Sequence, residues 1–309
     1  MRTRITVLLA AAAVASGLAV AAPAAAAPAV TLTANPAAAV KVPKRTDGLN
    51  KPIYFVHGIQ IGKKIPTSDC NSWNAAINRY KASGTVGTVR TVAYYKSDKN
   101  CNTRIASAVN QNTSIETLGK LLANNIYTNY SKKGIAVDAV GHSMGGLIIR
   151  AAITGVEKKT PGFPPKLFIE DVVTFDTPHT GTLVAKLCGF TECVQMRPGS
   201  ALLKWLSKDP QSSERTDWTL IGSKKDIVVP WNSAVSFSHG VGSLSVGHKV
   251  IFLSGTGLSH SSIYQETGNS GYKLQYWNSA QNSQGWVTKT NWVSPVVMAR
   301  NGNFYCLKW

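Results

Sequence analysis

The sequence predicts an α/β fold, a doubly wound and mostly parallel sheet with a small cap. One observation behind this prediction is the apolar run 135–140, which is rich in β-branched residues and typical of a buried strand. Another is the proline-free apolar stretch 147–153, six residues further on, which is typical of a buried helix. Further strand-like runs occur at 53–56, 89–95 and 168–175. We therefore expect strands and helices to alternate within one large domain.

A helix is predicted after Ile115, because apolar residues recur there at helical spacing. The hydroxyl of Thr113 and the carboxylate of Glu116, three residues apart, predict a capping box at its start. The polar stretch 102–115 is expected to be a loop. The remaining core elements are expected at 72–80, 218–223 and 249–253.

The first residues of the chain have the composition of a secretory signal peptide over 1–27. Arg2 and Arg4 give it a positive start, and an apolar segment and alanine-rich small residues follow. The sequence therefore predicts a secreted, extracellular protein. Residues 28–50 are rich in Ala, Pro, Thr and Lys and are expected to form a flexible N-terminal arm. No later stretch is apolar enough to predict a transmembrane segment.

The rest of the chain, 51–309, is expected to form one domain with two unusual parts. The segment 179–217 is long and irregular, which predicts a cap or lid beside the functional site. Residues 268–309 form a C-terminal extension that is rich in polar residues and tryptophan and has no helical period. We expect short strands or a hairpin covering the sheet edge there. The tryptophans are expected either to pack on the core or to bind a sugar or a surface.

The formal net charge of the whole chain is +18. The basic residues are scattered, and no basic helix or nucleic-acid motif is present, so nucleic acid is not an expected partner. In an exported protein this charge favours contact with lipid or other anionic surfaces, and a generally basic soluble surface is the alternative. The sequence does not indicate an oligomeric state.

Five cysteines are typical of an oxidising compartment. The pairs Cys70–Cys101 and Cys188–Cys193 are favoured because each brackets one loop region, which leaves Cys306 over. Five cysteines allow fifteen ways to form two pairs, so the other pairings stay open. No spacing of Cys and His resembles a zinc site, so no residue is assigned as a metal ligand, and the sequence does not indicate whether a structural Ca²⁺ is bound.

The strand and helix at the centre of the chain are joined by Gly141-His142-Ser143-Met144-Gly145. A serine on such a sharp strand-to-helix turn is exposed above the sheet edge, and glycines allow strand and helix to approach. The helix start offers free N–H groups to a developing negative charge. The pattern predicts that Ser143 is a catalytic nucleophile.

A serine nucleophile needs a histidine base and a carboxylate that orients it, and in this kind of fold the order is serine, acid, histidine. Asp226 follows one predicted strand and His260 follows the next, so both satisfy order and placement. The alternatives for these two roles are Asp176, Asp209, Asp217, His239 and His248. Chain order argues against His57, His142 and His179.

The His57-Gly58 turn after the strand at 53–56 can direct the next backbone N–H, that of Ile59, at a substrate oxygen. Together with the N–H of Met144 it is expected to form an oxyanion hole. An ordinary loop with a structural histidine is the alternative.

Six motifs between about Pro52 and Tyr264 carry a family resemblance. Their positions are 55–59, 141–146, 176–181, 195–203, 222–230 and 258–261. Together they resemble secreted bacterial lipases and esterases of the α/β-hydrolase superfamily. The resemblance implies that Ser143 is the nucleophile, Asp226 the acid and His260 the base, with the Ile59 and Met144 amides as the oxyanion hole. The tryptophan-rich extension departs from the C-terminal helix usual in that superfamily.

The activity that follows from this resemblance is hydrolysis of carboxylic esters through an acyl-enzyme. The expected substrates are acyl lipids or related hydrophobic esters, and the chemistry requires no cofactor. Two alternatives stay open: an extracellular acyltransferase using the same residues, and a non-catalytic surface-binding protein on a hydrolase scaffold.

Overall fold

The computed structural model describes residues 40–61, 65–237, 241–278 and 285–305. The predicted signal peptide, His239 and Cys306 lie outside these ranges. Nine strands are present in the described residues: β1 (Ile53–Val56), β2 (Val89–Tyr95), β3 (Thr103–Val109), β4 (Val137–His142), β5 (Ile169–Phe175), β6 (Asp217–Ser223), β7 (His248–Ser254), β8 (Tyr272–Asn278) and β9 (Val287–Trp292).

These strands form a single sheet in the order β3-β2-β1-β4-β5-β6-β7-β8-β9. The pairs from β3 to β7 are parallel, and β8 and β9 add an antiparallel hairpin at one edge. The sheet therefore confirms the predicted α/β class and its mostly parallel character. It also confirms the expected hairpin over the sheet edge.

Helices cover the sheet and follow its strands along the chain. They are α1 (Asn74–Lys81), α2 (Ile115–Asn129), α3 (Met144–Glu157), α4 (Thr191–Met196), α5 (Ala201–Trp205), α6 (Trp231–Ala234) and α7 (Pro295–Phe304). Among the described residues, every helix is too short or too polar to span a lipid bilayer.

The two faces of the sheet bury two separate apolar cores, because successive strand residues point to opposite sides. In β1, Tyr54 and Val56 pack in the core that contains α2 and α3. The alternate residues Ile53 and Phe55 pack in the other core, with residues of α1 and α7. Both faces of β1 are fully buried, which explains its continuous apolar sequence.

The helix predicted after Ile115 is confirmed, but its capping prediction was wrong by one residue. The N-cap is Ser114, whose hydroxyl accepts a hydrogen bond from the Thr117 amide at 3.0 Å. Thr113 precedes the cap and does not fill that role. A serine in the extended conformation directly before the helix satisfies an otherwise unpaired N–H, so one cap is enough.

The prediction of a loop at 102–115 was also wrong, since β3 occupies half of that stretch. This strand lies at the open edge of the sheet, and most of its residues are exposed or half-buried. Edge strands of this kind often carry polar residues, which removes the apolar pattern that marks a buried strand.

The extension contains α7 in addition to the hairpin, and the sequence did not predict it. Five consecutive residues at its start, Pro295 to Ala299, are buried. A helix buried on nearly all sides has no single apolar stripe, so helical periodicity does not reveal it. Pro295 occupies the first turn, where its missing N–H costs no hydrogen bond.

The last residues of the predicted arm contact the amino-terminal end of the sheet. The Arg45 guanidinium pairs with Asp171 at 3.1 Å, and the Thr46 amide donates to Glu170 at 2.8 Å. Lys51 also pairs with Glu170, at 3.2 Å. These contacts attach residues 45–51 to β5. The boundaries of signal peptide, arm and cap stay predictions.

Buried carboxyl groups gather at this same end of the sheet. Burial raises the pKa of Asp138 to about 8, although the Lys51 charge opposes it. Burial, with the neighbouring Glu170 and Asp138 charges, also raises the pKa of Glu214 to about 8. Neither carboxyl oxygen of Glu214 has a hydrogen-bond partner among the described residues. The folded chain therefore holds protons here that an unfolded chain would release.

The substitution Glu214→Gln tests this cluster. The contribution of Glu214 to wild-type stability is expected to fall as the pH rises from about 5 towards 8, because only the folded state keeps the Glu214 proton in that range. Glutamine does not titrate, so the variant gains about 3 to 4 kcal/mol in free energy of unfolding over wild type across that range. Urea unfolding at both ends of the range measures the gain.

The matched control is Glu157→Gln, at an exposed position on α3. Its difference from wild type is expected to be the same at both pH values. A Glu214→Gln advantage that does not grow with pH would contradict the assignment of a proton to this carboxyl.

Candidate active site

Ser143 stands on the turn between β4 and α3, with φ 54° and ψ −128°. This left-handed conformation is unfavourable for a residue with a Cβ and is maintained by its surroundings. The Ser143 amide donates to the Phe175 carbonyl at 2.9 Å, which fixes the turn to β5. A Cβ at Gly145 would lie 2.1 Å from the Val56 carbonyl oxygen, so only glycine fits where α3 begins.

The three side chains predicted for catalysis meet at the carboxyl edge of the sheet. The Ser143 hydroxyl oxygen lies 3.0 Å from Nε2 of His260. Nδ1 of the same ring lies 2.7 Å from Oδ2 of Asp226. His260 follows β7 and Asp226 follows β6, so two neighbouring parallel strands bring them to the same edge.

Asp226 is held as a carboxylate by several donors. Its Oδ1 accepts from the Val228 amide at 2.7 Å and from the Val229 amide at 3.1 Å. Burial by itself raises the pKa of Asp226, but the contact with His260 and these two amides outweigh it. The pKa of Asp226 therefore lies below its ordinary value.

His142, next to the serine, supports the loop that carries His260. Its Nε2 lies 2.6 Å from the His260 carbonyl oxygen, and its ring packs at 4.4 Å from that of Tyr264. Burial, together with the His260 ring, lowers the pKa of His142 to about 3, so this ring is neutral and donates one N–H. The sequence marked His142 only as an excluded base, because chain order does not reveal a supporting contact.

The turn after β1 lies directly against the serine. A Cβ at Gly58 would be 3.2 Å from the Ser143 hydroxyl oxygen. The Tyr94 hydroxyl lies within hydrogen-bonding distance of the carbonyl oxygens of His57 and Gly58, at 2.9 and 2.8 Å. In a trans peptide the N–H points away from the C=O, so the Ile59 N–H points away from Tyr94.

A buried carboxylate fixes the other side of this turn. Nε2 of His57 lies 3.0 Å from Asp98, which also accepts from the amides of Ser68, Tyr94 and Tyr95 at 2.8 to 2.9 Å. Burial raises the pKa of Asp98, but His57 and the amides outweigh it and lower the pKa below its ordinary value. The motif did not reveal this pairing, because the two residues are far apart in sequence.

The second predicted donor, the Met144 amide, is the first N–H of α3. The first amides of a helix have no partner within the helix, and the helix dipole makes them favourable sites for negative charge. Ile59 and Met144 therefore flank Ser143 from two different elements.

Both favoured disulfides are confirmed, Cys70–Cys101 and Cys188–Cys193. The first joins the segment between β1 and α1 to the loop between β2 and β3, close to Asp98. The second lies within the segment expected to be a cap, where residues 183–187 form a short 3₁₀ helix before α4.

A cavity of about 390 Å³ opens beside Ser143 and His260. Residues of the expected cap segment contribute part of its wall. The aliphatic side chains that line it are Ile59, Ile61, Val184, Ala185, Met196, Val228 and Val229. Such a wall suits an apolar ligand group, and polar side chains, among them Gln60, Ser68 and Thr182, line the rest of the cavity.

The residues considered as alternatives for the acid and the base make other contacts. Asp217 and His248 pair with each other at 2.9 Å, at the opposite end of the sheet. Asp209 is exposed and contacts Gln211. Asp176 lies behind Asp226: one carboxyl oxygen of each and a ring nitrogen of His260 lie within 4.8 Å of one another. Three such atoms can reach one metal ion, but Asp226 and His260 are already hydrogen-bonded to each other.

Comparison with known proteins identifies the family. Residues 52–209 match the family described as "Putative serine esterase (DUF676)". The chain belongs to this serine esterase family. The matched segment includes the turn at Gly58, the serine turn and Asp176, and it ends before Asp226 and His260. A comparison with curated protein sequences gives no match.

Solved structures with a similar fold include lipases. Bacillus licheniformis lipase BlEst2 in mature form is 16% identical, with 72% of this chain and 90% of that chain covered and a TM-score of 0.45. Aspergillus fumigatus lipase B is 16% identical, with 64% and 42% covered and a TM-score of 0.43. Legionella pneumophila phospholipase PlaB is 12% identical, with 56% and 39% covered and a TM-score of 0.40. The chain thus spans about two fifths of the length of each of the last two proteins.

The contacts of the Tyr94 hydroxyl predict that Tyr94→Phe slows ester hydrolysis. Without this hydroxyl the His57 carbonyl oxygen loses this contact, and the Gly58 carbonyl oxygen keeps the one with Nδ1 of His57 at 2.8 Å. The turn is then held less firmly, and the Ile59 N–H is less well aligned. We expect kcat to fall about tenfold with little change in KM, less than the loss on deleting a whole oxyanion donor. Steady-state kinetics on a soluble nitrophenyl ester measures both constants.

Tyr54→Phe is the matched control. It removes a buried tyrosine hydroxyl that contacts Asn125 at 2.9 Å, on β1 but away from Ser143. Its kcat is expected to equal that of wild type. If Tyr94→Phe and Tyr54→Phe both fold and have equal kcat, the Tyr94 hydroxyl does not align the Ile59 N–H.

Proposed function

We propose that this serine esterase hydrolyses carboxylic esters through a triad of Ser143, His260 and Asp226. The observation that carries the proposal is the continuous hydrogen-bonded series from Asp226 to His260 to Ser143, at 2.7 and 3.0 Å. In this series the carboxylate fixes the ring orientation, and the ring can accept the serine proton.

The proposed reaction has two stages. In the first, the Ser143 oxygen attacks the ester carbonyl carbon while His260 takes its proton. The negative oxygen that forms is stabilised by the Ile59 and Met144 amides. The C–O bond to the alcohol then breaks, and His260 returns the proton to the leaving alcohol. In the second stage His260 deprotonates water, which attacks the acyl-enzyme and releases the acid and the free serine.

The proposed substrates are esters with a hydrophobic acyl group, such as acyl lipids. The aliphatic wall of the cavity favours an apolar chain, and a volume of about 390 Å³ lies within the range of small-molecule sites. The net charge of +18 favours substrates presented at an anionic surface.

We also propose that the enzyme acts outside the cell. The signal-peptide composition of residues 1–27 supports export. The two disulfides support an oxidising compartment, because cytosolic proteins rarely keep them.

The substitution Ser143→Ala tests the nucleophile. It deletes one oxygen at the site without changing the core, so kcat on a short-chain nitrophenyl ester is expected to fall by about 10⁶-fold with an unchanged circular dichroism spectrum. Ser83→Ala, at an exposed position after α1, is the matched control and should keep full activity. Normal turnover by the Ser143 variant would refute the proposed mechanism.

The substitution Asp226→Asn tests the acid. An amide in place of the carboxylate favours the wrong tautomer of His260, which is expected to lower kcat by about 10⁴-fold. The control is Asp209→Asn, which changes an exposed carboxylate and should leave kcat unchanged. If Asp226→Asn has little effect, another carboxylate orients the ring.

A further inference from the structure

A second carboxyl group, that of Asp176, lies behind the proposed triad and has no part in the reaction described above. It follows β5 directly, its side chain is fully buried, and its backbone has φ 40°. Such a conformation is unfavourable for a residue with a Cβ. The Asp176 amide donates to the Ile221 carbonyl at 2.9 Å, which holds it beside the end of β6.

One carboxyl oxygen of Asp176 lies within 4.8 Å of one carboxyl oxygen of Asp226. Oδ1 of Asp176 accepts from the Ser223 amide at 3.0 Å. Its Oδ2 is buried, and no donor from the described residues reaches it. Two ionisable groups lie close to Asp176: Asp226 in the turn after β6 and His260 in the loop after β7.

Two adjacent carboxyl groups in a buried site share a proton, because two negative charges at this distance repel each other. Asp226 accepts from two amides and from His260, which stabilise its negative charge. Asp176 accepts from one amide only. Burial and the adjacent Asp226 charge accordingly raise the pKa of Asp176 well above its ordinary value, whereas that of Asp226 is lowered. The shared proton therefore belongs on Asp176.

We propose that Asp176 is a neutral carboxylic acid that donates a hydrogen bond to Asp226 and so positions the acid of the triad. Asp226 then has donors on every side: two amides, His260 and Asp176. A carboxylate fixed in this way cannot rotate away from the ring when His260 gains and loses its proton. Asp176 touches no reacting atom, so it is a positioning residue.

Infrared difference spectroscopy of wild type against Asp176→Asn at neutral pH tests the proton directly. The proposal expects the variant to lose the C=O stretch of one protonated carboxylic acid. Loss of a carboxylate stretch instead would show that Asp176 is ionised and would overturn the proposal. Asp176→Ser is the second variant if asparagine does not fold there, with the same expectation.

Kinetics provides an independent readout. Asparagine keeps the acceptor for the Ser223 amide and offers an N–H to Asp226, so Asp176→Asn is expected to keep kcat within about threefold of wild type. Asp176→Leu keeps the bulk but removes the donor, and its kcat is expected to fall at least tenfold at constant KM. In this variant Asp226 accepts one hydrogen bond fewer, so its negative charge stabilises the imidazolium of His260 more strongly. The acid limb of the kcat profile therefore moves to higher pH.

A 100-fold loss in Asp176→Asn, or an unshifted acid limb in a folded Asp176→Leu, would overturn the positioning role. The kinetic readout rests on the proposed esterase function, whereas the infrared readout does not. If Ser143→Ala proves fully active while the protonated band is lost in Asp176→Asn, the proposed function fails and the protonation of Asp176 stands.

Discussion

The site depends on the close approach of the start of α3 to the end of β1. At Gly145 the helix backbone lies so near the Val56 carbonyl that no side chain fits between them. This contact forces the chain to reverse sharply at Ser143, whose left-handed backbone conformation is maintained by the elements on both sides. It also brings the serine against the turn at Gly58. One backbone contact thus sets both the position of the hydroxyl at the cavity and its distance from the proposed oxyanion donors.

The number of hydrogen-bond donors, more than burial, determines the charge of the carboxyl groups in this sheet. Asp98 and Asp226, at the carboxyl end, each accept from backbone amides and a histidine, and their pKa values are lowered. Asp138 and Glu214, at the amino end, have too few hydrogen-bond donors, and burial raises the pKa of each to about 8. At the end that carries the serine, Asp98 and Asp226 are therefore fixed anions that orient histidines, and Asp176 is the neutral exception proposed above. Asp138 and Glu214, at the opposite end, hold protons at moderate pH.

Local patterns in the sequence were enough to predict the elements on which the site is built. The glycines around Ser143 and the apolar runs before Asp226 and His260 mark a strand-to-helix turn and two strand ends. Because parallel strands end at one edge, placing the three side chains together needed no knowledge of their contacts. The structure brings them within hydrogen-bonding distance, as the strand order requires.

The groups that support these residues could not be predicted in the same way. Asp98 meets His57 only through the pairing of two strands, and Asp176 follows a strand just as Asp226 does. Chain order alone cannot tell an orienting carboxylate from its neutral neighbour, because the difference lies in the amides that reach each group. The buried helix α7 and the exposed strand β3 were missed for a related reason. Each faces a uniform environment, so neither leaves a periodic apolar pattern.

Strand register links the fold to the proposed oxyanion turn. Val56 pairs with Val92 in the parallel ladder of β1 and β2, so the chain beyond Val56 lies opposite Tyr94 and Tyr95. Tyr94 contacts the carbonyls of the turn, while Tyr95 donates to Glu192 of α4 at 2.6 Å. A slip of one residue would send both side chains to the opposite face of the sheet. The register of β1 and β2 thus positions both the turn beside the serine and α4, the helix that borders the cavity. Both sides of the site therefore depend on this one pair of strands.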